Sequence, residues 1–239
     1  MAQMRTPGAL EAGTTSIGGH DDERRVLAGW EIASIISSTL IAEWAVLALV
    51  GFNRVFLALP VGLALLLMLY SHRTRGETFR DVGFRLDNFG RALKLLLAPM
   101  VAAIVLLALA GKFWFDGDWR VSGGRAGWEA FGFPVWGFLW GLLQQYALQG
   151  FIHRRAQLVW GRDWRSLIFV ALVFALLHFP NPWLTIATFL GGLMWAAVYQ
   201  RAPNLWALAL SHALMTWVLV STIPPAALRG LRVGYKFFG

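Results

Sequence analysis

Runs of about 20 apolar residues recur at roughly 28–51, 53–71, 91–111, 132–152, 165–179, 183–200 and 204–223. A helix satisfies its backbone hydrogen bonds within one segment, so runs of that length read as membrane-crossing helices. The expectation is an all-α polytopic membrane bundle of about seven transmembrane helices, with an eighth short segment left open after Pro224-Pro225. Composition agrees: the chain is 57% hydrophobic and 14% charged, whereas a soluble domain carries about 25% charged residues. No soluble-looking block interrupts the apolar runs. Residues 1–27 are therefore expected to be a flexible cytoplasmic tail, 28–223 one membrane domain, and 224–239 a basic carboxyl-terminal tail.

The net charge of +8 would suit nucleic acid, but the basic residues sit beside apolar spans, where lipid headgroups and the positive-inside bias account for them. No nucleic-acid partner is expected, and membrane lipids are. Arg73, Arg75, Arg80, Arg85 and Arg91 fill one loop, and Arg154, Arg155, Arg162 and Arg165 another. Both loops are assigned to the cytoplasm, which places the amino terminus there and the chain in a cytoplasmic membrane. The loop with Lys112, Arg120 and Arg125 among Asp116, Asp118 and Glu129 falls on the other side. Alternation then puts Arg229, Arg232 and Lys236 outside, against the charge rule. The absence of cysteine excludes disulfides and thiolate metal sites.

Deep in three spans lie the only strongly polar groups of those spans. At about 1.5 Å per residue, Gln144 is roughly 15 Å from the Arg154-Arg155 boundary, His178 roughly 20 Å from Arg165, and His212 roughly 12 Å from Asn204. All three helix ends are predicted cytoplasmic, so these groups share one slab near the bilayer centre. Facing polar groups inside a membrane are a functional-site hypothesis by default. Gln145 with Gln149, Phe174 with His178, and His212 with Thr216 are each four residues apart and share a helix face. Gly137 and Gly141 would let another helix approach closely. The plainer reading makes the glutamines interhelical glue and the histidines packing residues. His20, His72 and His153 read as solvated.

The segments QQYALQGF, FALLH and SHALMTW resemble, in order and spacing, the EExxxR, FxxxH and HxxxN/D motifs of the CPBP family. These are intramembrane proteases related to type II CAAX prenyl endopeptidases and to bacteriocin-processing or immunity proteins. FRDVGFRL at 79–86 is similar to the segment that precedes the family's core helices, and the resemblance covers roughly 79–220. It implies endopeptidase cleavage of membrane-associated or lipidated peptides or proteins. In that family the first glutamate activates water, and the second glutamate and the arginine organise the site. The first histidine orients the water or a metal, and the second, with its HxxxN/D partner, binds the scissile carbonyl. Carried over, Gln144 and Gln145 stand at the glutamates and Gln149 at the arginine. Phe174 and His178 match FxxxH, and His212 matches the second histidine, with Thr216 in place of asparagine or aspartate.

Each charged member of that cluster is an amide here. Two carboxylates balanced by one guanidinium have become three neutral groups able to hydrogen-bond to one another, so the fold can survive the exchange. A positioned carboxylate contributes about 10² to 10⁴-fold as a general base, and an amide cannot replace it. Peptidase activity by the family mechanism is therefore expected to be weak or lost, leaving His178 or His212 as the candidate base. A non-catalytic protein that holds a peptide or lipidated tail in the same cavity is the alternative. A small-solute transporter lacks the expected inverted repeat of broken helices. A divalent metal such as zinc would fall to His178 and His212, two ligands where a closed site needs four.

Overall fold

The computed structural model describes residues 11–115 and 128–239. Asp116, Asp118, Arg120 and Arg125, on which part of the loop assignment rests, lie outside the described residues. The described residues are helical with no strand. α1 (Glu11–Leu40) runs through a π-helical segment, π1 (Ile41–Val46), into α2 (Leu47–Val50). α3 spans Arg54–Thr74, α4 Phe79–Val82 and α5 Phe89–Phe115. α6 (Trp128–Gln145) continues without a break as π2 (Tyr146–His153) and α7 (Arg154–Trp160). α8 (Trp164–Leu176), α9 (Pro182–Arg201) and α10 (Leu205–Thr222) complete the bundle.

Five helical stretches are long and apolar enough to cross a membrane: Asp21–Val50, Val55–Thr74, Phe89–Phe115, Pro182–Arg201 and Leu205–Thr222. The expected fifth span is shorter than read from sequence. α8 has 13 residues and rises about 20 Å, less than the roughly 30 Å of a hydrocarbon core. It turns at residues 177–181 and returns as α9, against which it packs so closely that a Cβ on Gly192 would lie 2.9 Å from the Ala171 Cα. The expected fourth span ends later than residue 152, because π2 and α7 carry the rod to Trp160. The first helix begins ahead of residue 28, at Glu11. After Thr222 the chain forms a turn and two 3-10 segments of three and five residues.

Asparagines begin several of these helices. Asn53 caps α3, accepting from Val55 N at 3.0 Å, and Asn181 caps α9, accepting from Leu184 N at 3.3 Å. Asn204 caps α10, accepting from Ala207 N at 2.9 Å. Its fully buried amide also donates to Arg85 O at 2.6 Å and Asn88 Oδ1 at 2.8 Å, tying the start of α10 to the link between α4 and α5. Gly83 ends α4 at φ 110°, a conformation open chiefly to glycine, and a Cβ there would meet Leu205 and Tyr199 at 3.2 Å. Tyr199 Oη donates to Val82 O at 2.6 Å. The FRDVGFRL segment is thereby pinned between α9 and α10.

Where the arginine-rich segments meet, the bundle is closed by a buried ion network. Arg155, fully buried, donates to Ser71 Oγ at 2.9 Å and to Glu77 at 3.1 and 2.7 Å, and its Nε lies 2.9 Å from Glu31 Oε2. Arg154 donates to Glu77 Oε1 from Nε at 3.0 Å and to Asp81 O at 2.9 Å. Arg75 reaches Glu31 Oε2 at 3.0 Å, and His72 Nδ1 donates to Glu77 Oε2 at 2.6 Å. The sequence reading of His72 and His153 as solvated is wrong: both are buried. The arginine pair belongs to a helix rather than a loop, and the turn of that helix carries it inward. At the opposite end the tail packs back: Gly234 N donates to Phe179 O at 2.9 Å, Asn181 Nδ2 donates to Leu228 O at 2.8 Å, and the Phe238 ring lies 6.2 Å from Trp44.

Burial alone would raise the Glu77 carboxyl, but the bonds from His72, Arg155 and Arg154 hold it well below the usual carboxylate range. A depressed folded value means that the stability it contributes is complete above the ordinary carboxylate range and is lost only as pH falls into strong acid. Removing one partner of a buried ion network costs about 3–5 kcal/mol. Thermal unfolding of the full chain in detergent should therefore show Arg155→Ala strongly destabilised. Arg154→Ala, whose side chain is 25% exposed, should lose clearly less. Orientation is checked with single cysteines at exposed sites on the two ends: Thr74 and Trp164 should be labelled from one side of sealed vesicles, Phe52 and Ala226 from the other.

Candidate functional site in the membrane bundle

The motif residues gather where α6 meets α10. Small residues permit the approach, as the Gly137 and Gly141 spacing predicts. A Cβ on Gly141 would lie 3.2 Å from His212 Cγ and 3.4 Å from Ala209 O, and one on Gly137 would lie 3.8 Å from the Ala213 Cβ. Gln145, fully buried at the end of α6, donates from Nε2 to His212 Nδ1 at 3.2 Å. Gln144 beside it is half-buried, as is Thr216 one turn beyond His212. The Trp195 indole stacks flat on the His212 imidazole, with centroids 4.7 Å apart and planes within 4°. Trp195 Nε1 donates to Ser211 Oγ at 2.8 Å, which fixes that platform.

Phe174 joins the second histidine to the first. Its ring meets His178 edge-on at 4.8 Å and His212 at 5.9 Å. His178 Nδ1 donates to Phe174 O at 2.8 Å. The structure thus brings together Gln145, Phe174, His178 and His212, as the shared depth in the sequence suggests. Gln149 departs from that grouping. The chain enters π2 immediately after Gln145, and i→i+5 hydrogen bonding shifts each later residue round the axis relative to an α register. Gln149 Oε1 accepts from His153 Nδ1 at 2.9 Å, and His153 Nε2 accepts from Gln157 Nε2 at 3.1 Å. The three amides therefore do not form one mutual cluster.

The partners assign the tautomers. Because His212 Nδ1 accepts from Gln145, the neutral ring carries its proton on Nε2 and presents an N–H donor. Because His178 Nδ1 donates to Phe174 O, its Nε2 presents a lone pair. One histidine thus presents an N–H donor and the other a lone-pair acceptor. No three His, Asp or Glu side chains come together to hold a metal among the described residues. His212 Nδ1 is already engaged by the Gln145 amide. The residues do not fit a closed zinc site.

On the same pair of helices an open groove of about 420 Å³ runs between α6 and α10, lined by Val135, Phe138, Leu139, Leu210, Leu214 and Trp217 among others. Its walls are apolar. Sequence reading missed the groove, the Trp195 platform and the ion network. The signal for the last was Glu31, a carboxylate within an apolar run, which demands a partner.

Gly141→Leu should force a side chain into the His212 ring and the Ala209 carbonyl. Overpacking of this kind costs about 1–3 kcal/mol. Gly137→Ala, with its nearest neighbour at 3.8 Å, should be nearly neutral. Comparing melting temperatures of the two variants checks the contact. Residues 126–218 match the family model described as type II CAAX prenyl endopeptidase Rce1-like. No curated protein and no solved structure matches the chain.

Proposed function

We propose that this membrane protein, whose residues 126–218 match the type II CAAX prenyl endopeptidase family model, engages a membrane-associated or lipidated peptide along the α6–α10 groove and hydrolyses it weakly at the histidines beside it. The single observation that carries this reading is the polarity of the two histidines. His212, held by Gln145 and backed by Trp195, offers Nε2–H to the scissile carbonyl and stabilises charge that develops on its oxygen. His178, its Nδ1 proton committed to Phe174 O, offers Nε2 to a water. In that step the water oxygen bonds to the carbonyl carbon, its proton passes to His178, and the leaving amine then takes that proton.

The family's glutamate base has no equivalent here. Gln144 accepts no proton from water at neutral pH, so the reaction loses the roughly 10² to 10⁴-fold that a positioned base supplies and falls back on an imidazole without a carboxylate partner. A seven-helix crossing with a cytoplasmic amino terminus, in a cytoplasmic membrane, belongs to the same proposal. It is supported by five helices of sufficient length and by the gathering of the arginine-rich segments at one end.

The test follows cleavage of one lipidated peptide in liposomes by mass spectrometry. Wild type should turn over slowly, and His178→Ala should abolish that turnover. Gln144→Ala should leave it unchanged. The set Gln144→Glu, Gln145→Glu and Gln149→Arg, with Thr216→Asn, restores the family's charges and should cleave faster. Gln144→Glu alone should not, because a single carboxylate at that depth is kept protonated by desolvation. Cleavage that is lost in Gln144→Ala but survives His178→Ala would reject the reading. A complex without a fragment would leave only the non-catalytic binder.

A further inference from the structure

Outside the motif positions, two buried polar atoms on neighbouring rings lack a hydrogen-bond partner: His72 Nε2 and Tyr146 Oη. Native interiors pair the large majority of buried side-chain polar atoms, so an orphaned pair asks for an explanation. The two rings lie 5.8 Å apart, and the Phe151 ring closes the box edge-on to His72 at 5.4 Å. The His72 side chain is 8% exposed. Its Nδ1 proton is committed to the Glu77 carboxylate at 2.6 Å. With that proton on Nδ1, the neutral ring presents Nε2 as an acceptor. The neighbouring Tyr146 hydroxyl is a donor.

One acceptor beside one donor is the complement of a peptide group, which brings one N–H and one C=O. We propose that His72 and Tyr146 form a subsite that binds one backbone amide of the peptide. His72 Nε2 accepts its N–H, and Tyr146 Oη donates to its carbonyl or to that of its neighbour. The proposal rests on the peptide-binding reading above. Aromatic rings mark the course of the ligand: Tyr146 to Phe84 at 5.8 Å, Phe84 to Trp206 at 5.6 Å, and Trp206 to Phe138 at 6.5 Å. Phe138 is a wall of the apolar groove. An extended peptide with its apolar anchor in that groove has its backbone led along the row to the polar pair.

The probe is an S-farnesylated cysteine peptide in phosphatidylcholine vesicles, with a scan in which each backbone amide in turn is replaced by an ester. His72→Asn keeps a donor for Glu77 and deletes Nε2. Tyr146→Phe keeps the ring and deletes the hydroxyl. Each variant should weaken binding of the all-amide peptide about 5- to 10-fold, the equivalent of one neutral hydrogen bond. One ester position should weaken binding to wild type by a similar factor and have no further effect on His72→Asn. Equal ester sensitivity in wild type and His72→Asn, or wild-type affinity in both variants, would overturn the subsite and leave its two atoms to a buried water. Should His72→Asn unfold, Tyr146→Phe decides alone. A peptide that wild type does not bind rejects the peptide-binding reading itself, whereas one bound without regard to His72 and Tyr146 rejects the subsite only.

Discussion

A guanidinium removed from water must have its charge balanced, and the bundle is arranged to do this for Arg155. Its partners come from α1 (Glu31), α3 (Ser71) and the following turn (Glu77). Apolar packing inside a membrane has little directional preference, because lipid tails are as apolar as leucine. The ion network supplies that direction. It fixes the height and rotation of α7, and through the unbroken rod it fixes π2 and the end of α6, where Gln145 meets His212.

Replacing a carboxylate by an amide changes more than charge. At position 145 the amide donates to His212 Nδ1, which a carboxylate cannot do. The neutral histidine therefore carries its proton on the far nitrogen, aimed away from Gln145. The site presents an N–H donor at His212 and neutral amides at positions 144 and 145. This is a coherent polar arrangement rather than a damaged one, since Ser211 and Trp195 back the ring and Phe174 orders its neighbour.

Much of the architecture was legible in the sequence because hydrocarbon imposes a length. Each apolar run corresponds to a helix, and the common depth of Gln145, His178 and His212 follows from counting residues inward from the arginines. Gly137 and Gly141 announced the close approach of α10. What sequence hid were departures from α periodicity and the pairing of charges. Gln149 was read as facing with Gln145, yet π2 begins between them. Arg154 and Arg155 were read as a solvated loop because two adjacent arginines usually are, and no local pattern tells that Glu31, more than a hundred residues earlier, is waiting for one of them. The length of α8 was misjudged because apolar residues continue through a turn that hydropathy does not register.

The π segment sets a phase between two otherwise separate halves of one rod. Its eight residues lie between Gln145, which looks toward α10, and Arg155, which looks toward α1 and α3. An α-helix of the same residue count would point those two side chains at a different angle to each other, so only one half could be seated at a time. The wider turn works as a fixed gear offset, letting the Gln145–His212 contact and the ion network be satisfied by a single continuous helix. Chain length between 145 and 155 is therefore itself a structural variable.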